Sequence, residues 1–231
     1  MKTLLITGAS AGIGLATART FAEAGYQVIN LSRRECPVAG VTHIGCDLSA
    51  PDFLEHSRAQ LTDLATDSEE LVLIHNAARL ANDTVANTDS SDFRAILEIN
   101  LVAPNTLNGW ALPLMRPGSS ILYVGSTLSE KAVPGSFSYV TSKHATIGMM
   151  RATCQDLAGQ QIHTACICPG FTDTEMLREH VPADAMQQIA GMSAFKRLVT
   201  PDEIAQTLFW GATNPVINGA VIHANLGQVE S

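Results

Sequence analysis

A short strand that runs straight into a glycine loop narrows the choice of fold more than any other stretch of this chain. Thr3–Thr7 is apolar and β-branched, and it is cut off by Gly8. The loop Gly8-Ala9-Ser10-Ala11-Gly12-Ile13-Gly14 follows, and Leu15–Ala24 then has apolar residues at helical spacing up to Gly25. Tyr26–Leu31 reads as a second strand. Strand, glycine loop, helix and strand within about thirty residues form a dinucleotide-binding unit. Glycines let the backbone approach a pyrophosphate closely, and the helix that follows presents free N–H groups to it. The loop has Gly-x-x-x-Gly-x-Gly spacing instead of the commoner Gly-x-Gly-x-x-Gly.

The end of the second strand bears on the cofactor type. A site for NAD usually carries a carboxylate about 20 residues beyond the glycines, to hold the ribose 2′-hydroxyl. Here Ser32 is followed by Arg33 and Arg34. A guanidinium binds a phosphate that a carboxylate would repel. The pair therefore favours NADP(H), with NAD(H) as the second option.

Further strands alternate with helices, which predicts an α/β, Rossmann-type sheet. Val41–Cys46 leads to Asp47-Leu48, where Asp47 suits either an adenine contact or a cap for the helix 52–66. Leu71–His75 ends at Asn76-Ala77-Ala78, small residues that again suit close ligand approach, and His75 reads as a structural strand-end residue. Ser120–Val124 delivers Ser126, and Ile162–Cys168 ends at Pro169-Gly170. Thr200-Pro201 starts a helix to about Ala212, and Val216–His223 is the last strand, before a tail 225–231. No linker or repeat interrupts the 231 residues, so one domain, 1–231, is expected.

Composition removes several classes. With 14 basic against 22 acidic residues, and no basic run longer than Arg33-Arg34, the chain lacks the footprint of a nucleic-acid binder. No apolar run approaches a membrane span, and no signal-peptide core precedes Gly8. The five cysteines have no zinc spacing, so no metal is expected. Cys166 and Cys168 read as core, and a reducing cytoplasm fits.

Chemistry concentrates between Ser126 and Lys143. Tyr139 and Lys143 stand one helical turn apart and so share a face. An ammonium beside a phenol favours the phenolate, which suits proton exchange with a carbonyl oxygen. A serine hydroxyl is fit to hold that oxygen. Asn100 lies in the apolar stretch Glu98–Val102 of a long helix, 91–112, and Pro104 lacks the N–H that its carbonyl would receive. A kink is expected there. The Met-containing stretch 171–195 is the expected substrate lid.

In this order the motifs resemble the short-chain dehydrogenases/reductases in their compact one-domain branch. The resemblance spans essentially the whole chain. It rests on Thr7–Gly14, Cys46-Asp47-Leu48, His75-Asn76-Ala77-Ala78, Asn100, Ser126, Tyr139-x-x-x-Lys143 and Pro169-Gly170-x-Thr172-x-Thr174. It implies a doubly wound sheet of about seven parallel strands with helices on both faces. It implies Tyr139 as acid/base, Lys143 on the nicotinamide ribose, Ser126 on the substrate oxygen and Asn100 holding a relay water. The cofactor would meet Gly8, Ser10, Gly12, Ile13, Gly14, Arg33, Arg34, Asp47, Leu48, Asn76, Ala77, Ala78, Pro169, Gly170, Thr172 and Thr174. The implied activity interconverts a small-molecule carbonyl and alcohol, in a homodimer or homotetramer. A sensor or scaffold that kept the fold without the chemistry is the alternative, but it should have lost some of the four catalytic residues, and all are present. Epimerases and dehydratases with similar residues usually carry a longer C-terminal region. The usual glycine of the Asn-Asn-Ala-Gly motif is Ala78 here, which matters only if that position needs a positive φ.

Overall fold

The computed structural model describes residues 1–228, so the last three residues of the expected tail lie outside it. The chain runs β1 (Lys2–Thr7), α1 (Gly12–Glu23), β2 (Gln27–Ser32), β3 (Thr42–Gly45), α2 (Phe53–Ala65), β4 (Glu70–His75), α3 (Ser90–Leu97) and α4 (Ala103–Ala111). It continues through β5 (Ser120–Val124), α5 (Phe137–Asp156), β6 (His163–Pro169), α6 (Glu175–His180), α7 (Met186–Gly191), α8 (Pro201–Thr213) and β7 (Ala220–Ala224). The seven strands form one parallel sheet in the order β3-β2-β1-β4-β5-β6-β7. The order reverses between β1 and β4. In an open α/β sheet the crevice at that point, beyond the carboxyl ends of the strands, is where ligands bind.

Alternation along the strands sorts the core into two layers. Leu5, Leu73, Ile121 and Tyr123 face one side, where α2, α4 and α5 cover them with Leu61, Leu107, Trp110 and Met150. Leu4, Ile6, Ile74 and Leu122 face the other side, under Phe21 of α1 and Ile204 and Leu208 of α8. Because both faces are covered, the central strands are almost continuously apolar. Cys166 and Cys168 point into the first layer side by side, with sulfur atoms 3.8 Å apart.

Three local expectations are corrected. The long helix 91–112 is divided into α3, a π-helical turn at Glu98–Val102, and α4. The Ala103 N–H reaches back to the Glu98 carbonyl, one residue further than in an α-helix, and Pro104 follows in the first turn of α4. The interruption expected at the proline thus takes the form of a wider turn. Asp47 caps no helix: Asp52 takes that place for α2, and Asp47 Oδ1 accepts instead from the Ser49 amide and hydroxyl. The last strand is shorter than 216–223, because Pro215–Ile217 form a single 3₁₀ turn before Gly219, whose φ is +78°.

Candidate active site

The glycine loop is held in a form that only glycine satisfies. Gly8 and Gly12 have φ of +74° and +54°. A Cβ on Gly14 would lie 2.2 Å from the Gly8 carbonyl oxygen. The first turn of α1 has no side-chain cap and no acidic residue, so its leading N–H groups face the crevice without a protein partner on their own helix. The uncapped helix start and the bare glycine backbone suit the charge of a pyrophosphate.

Two asparagines hold the loop from below. Asn76 Nδ2 donates to the carbonyls of Thr7 and Gly8, both at 3.0 Å, while Thr7 Oγ1 accepts from the amides of Asn76 and Ala77. The Asn76 side chain therefore supports the cradle. Asn30, fully buried on β2, accepts from the Ala9 amide at 2.9 Å and donates to the Arg34 carbonyl. Sequence reasoning passed over Asn30. Its signal was a lone amide in the apolar run Val28-Ile29-Asn30-Leu31. Ala78 does not have a positive φ, so its β-carbon replaces the usual glycine without strain.

Among the residues expected at the cofactor, Ser10 and Ile13 are half-buried in the loop, Leu48 is buried, and Arg33 and Arg34 are exposed. The Ser49 hydroxyl and amide hold the Asp47 carboxyl below the ordinary carboxylate range, and Arg33 adds a smaller attraction. Arg34 pairs with Glu175 of α6 at 3.2 Å. Pro169 ends β6. Gly170 stands so close to Asn225 that a Cβ would lie 2.9 Å from the Asn225 Cα. Thr172 and Thr174 then turn the chain back across the sheet, and Thr174 Cγ2 would sit 3.1 Å from a Cβ on Gly12. The segment after β6 thus crosses the switch point and reaches the glycine loop.

The four residues expected to carry chemistry gather at the carboxyl end of β5. Lys143 is buried, and its Nζ donates to the Val124 carbonyl at 2.7 Å. The same ammonium lies 5.5 Å from the ring centroid of the buried Tyr139. Ser126, two residues past Val124, opens the 3₁₀ turn Thr127–Ser129; its hydroxyl accepts from the Leu128 amide, which leaves its proton to donate. Asn100, on the π-helical turn, is linked to the tyrosine through one hydroxyl: its Nδ2 donates to Ser142 Oγ, which donates to the Tyr139 carbonyl. The same amide exchanges bonds with the Arg79 backbone, N–H to Oδ1 and Nδ2 to carbonyl.

Asp83 is a second residue that sequence reasoning missed. It is buried, and its Oδ1 accepts from the Ser138 amide in the first turn of α5, one residue before Tyr139. Its backbone pairs with Gly135 and Phe137. Its only sequence signal was an isolated acid in a polar loop, which is no signal. His75 is structural, as expected: its buried ring donates from Nε2 to Asn108 Oδ1, and burial pushes the imidazole down to about 4 against the raising effect of that bond.

The family model described as Enoyl-(Acyl carrier protein) reductase matches residues 8–228. Protein FixR of Bradyrhizobium diazoefficiens is 30% identical over 98% of this chain and 86% of its own. Carbonyl reductase family member 4 of Xenopus laevis is 29% identical over 96% of this chain and 95% of its own. Among solved structures, 4-hydroxyisoleucine dehydrogenase complexed with NADH superposes with a TM-score of 0.87 at 24% identity, covering 98% of each chain. Angucycline C-6 ketoreductase with bound NADP does so with a TM-score of 0.86 at 24% identity, covering 98% of this chain and 95% of its own. Those structures share the parallel sheet and its layers; the sequence matches go further. An uncapped glycine cradle at the switch point, a serine, a tyrosine and a lysine at the end of β5, and a family match that runs from the glycine loop to β7 and beyond place this chain in the short-chain dehydrogenase/reductase family, as an oxidoreductase.

Proposed function

We propose that the chain interconverts a carbonyl and an alcohol with NADP(H), preferred over NAD(H), and that Tyr139 is its acid/base. The observation that carries this reading is the placement of Tyr139 and Lys143, both buried, with Lys143 anchored to the strand end that also delivers Ser126. The nicotinamide, when bound, supplies or takes the hydride. Ser126 donates its free proton to the substrate oxygen and so holds it beside the Tyr139 hydroxyl. Tyr139 gives that oxygen a proton in reduction and removes it in oxidation. Lys143 would hold the nicotinamide ribose and, through its fixed ammonium, stabilises negative charge on the phenolic oxygen as the proton leaves. Asn100 holds the Arg79 loop and the Tyr139 helix in register and offers the relay its carbonyl.

The glycine cradle, Asn76-Ala77-Ala78, Pro169-Gly170, Thr172 and Thr174 would hold the cofactor, with Asp47-Leu48 at the adenine and Arg33 and Arg34 at the 2′-phosphate. The neighbours' bound NADP and NADH support a nicotinamide cofactor in general. The arginines, which directly follow Ser32 at the end of β2, support the phosphorylated form. The segment 171–195 is read as the substrate lid; Met176, Phe171 and Met192 there, with Leu128, Val133 and Phe137 opposite, suit an apolar or amphipathic carbonyl compound. The protein is read as a cytoplasmic homodimer or homotetramer. No helix among the described residues is long and apolar enough to cross a membrane.

Tyr139→Phe tests the mechanism. Turnover in a carbonyl and alcohol panel, followed at nicotinamide absorbance, should fall by at least about a hundredfold, while the NADPH dissociation constant stays within about twofold of wild type. A variant with wild-type turnover would remove Tyr139 from the chemistry.

A further inference from the structure

Glu175 stands where no cofactor-binding carboxylate was expected. It is the first residue of α6, in the segment after β6 that crosses the switch point, and its Oε2 lies 3.2 Å from Arg34 Nη2, at the end of β2. The pair therefore bridges the crevice from the lid to the adenosine end. Asp173, the nearest other carboxylate on the segment, is taken by Arg178 at 2.6 Å, so Glu175 is the acid turned towards Arg34. Both ends of this stretch are tied down: Thr174 lies over Gly12, and the His180 ring reaches the Leu80 carbonyl at 3.1 Å. The turn that carries Glu175 also borders a cavity of about 300 Å³ shared with Gly12, Leu15 and Arg178, so it has room to shift.

We propose that Glu175 is a specificity-determining residue that competes with the cofactor's 2′-phosphate for Arg34. This inference rests on the reading of Arg33 and Arg34 as the phosphate site. A 2′-phosphate carries close to two negative charges at neutral pH. Seated on Arg34, it would stand beside a carboxylate already on the same guanidinium, and like charges there repel. Glu175 must give up Arg34, so the first turn of the lid loosens when the phosphate arrives. A cofactor with a 2′-hydroxyl leaves the Arg34–Glu175 pair intact. The acid therefore weakens NADPH binding selectively.

The test is a fluorescence titration of NADPH and NADH into the wild type, Glu175→Gln, Arg34→Gln and the double variant. Glu175→Gln should tighten NADPH by about three- to tenfold, an effect that shrinks as salt rises, and leave NADH within about twofold. In the Arg34→Gln background the same change should have no selective effect. An unchanged NADPH-to-NADH ratio in Glu175→Gln, or an equal change for both cofactors, would overturn the proposal. Comparing Glu175→Gln with the double variant separately tests the arginine reading: if removing Arg34 there weakens NADPH no more than NADH, that reading is overturned, whatever Glu175→Gln does by itself.

Discussion

His75 shows how a single buried side chain sets a pH limit. Its Nε2 donates to Asn108 Oδ1, Asn108 Nδ2 donates to Tyr123 Oη, and Tyr123 meets Thr153 Oγ1, which itself donates to the Met149 carbonyl. Each proton in this chain is assigned by the next acceptor, and the ring's Nδ1 is left buried without a partner among the described residues. A second proton on His75 has no place to go, which is why burial pulls the imidazole from its ordinary 6.5 to about 4. The unfolded chain takes up that proton as pH falls below about 6.5 and the folded chain does not, so stability declines from there down to about pH 4. Urea denaturation at pH 7 and pH 4.5 should show a loss on the order of 2–3 kcal/mol from this residue. His75→Gln should be less stable at neutral pH, and its gap to wild type should close towards acid. A gap independent of pH would mean that His75 titrates normally. At this scale legibility in the sequence followed distance along the chain. Tyr139 and Lys143 declare themselves because one helical turn relates them. Asn30 and Asp83 do not, because their partners at Ala9 and Ser138 lie far away in sequence.

Among the elements, α8 is the one whose start was most readable. Thr200 Oγ1 accepts from the Glu203 amide, Glu203 returns a bond to the Thr200 amide, and Pro201 occupies the first turn. Arg197 completes the group, and its guanidinium, with the Thr200 amide, holds the Glu203 carboxyl down at about 2. Because α8 packs along α1, the helix that opens on the glycine cradle, this cap also steadies that helix. Thr200→Ala should cost about 1 kcal/mol by chemical denaturation. A loss below about 0.3 kcal/mol would show that the arginine–glutamate pair caps the helix without the threonine. The helix around Asn100 was only half legible. Proline announces a disturbance at 104, but the form that it takes depends on what the neighbouring turn must reach. Here Asn100 must meet both Arg79 and Ser142, and the π-helical turn carries it there.

At the scale of the molecule, the alternation of apolar strands and amphipathic helices made the two-layered sheet readable, and the count of about seven parallel strands came with the family's resemblance; their order did not. What stayed hidden was the path of the segment after β6, because its weak periodicity records neither its return across the sheet nor its ion pair with Arg34. We expect the whole chain to unfold as one unit. Trp110 lies in the layer of α4 and Trp210 on α8 in the opposite layer, so their fluorescence reports both sides of the sheet. Urea transitions followed by tryptophan fluorescence and by far-ultraviolet circular dichroism should superimpose. Separated midpoints would divide the chain into two independently stable parts.

The bonds from Asn76 and Ala77 to Thr7 and Gly8 join positions up to 70 residues apart. The glycine motif is therefore not a self-contained binding peptide. During synthesis, β1, α1 and β2 emerge first, yet the brace under their loop arrives only with the end of β4, and the tyrosine and lysine later still. A nascent chain acquires its fold-defining motif early and its competence for ligand late. Mass action by the dinucleotide thus rewards only chains that have already paired β1 with β4.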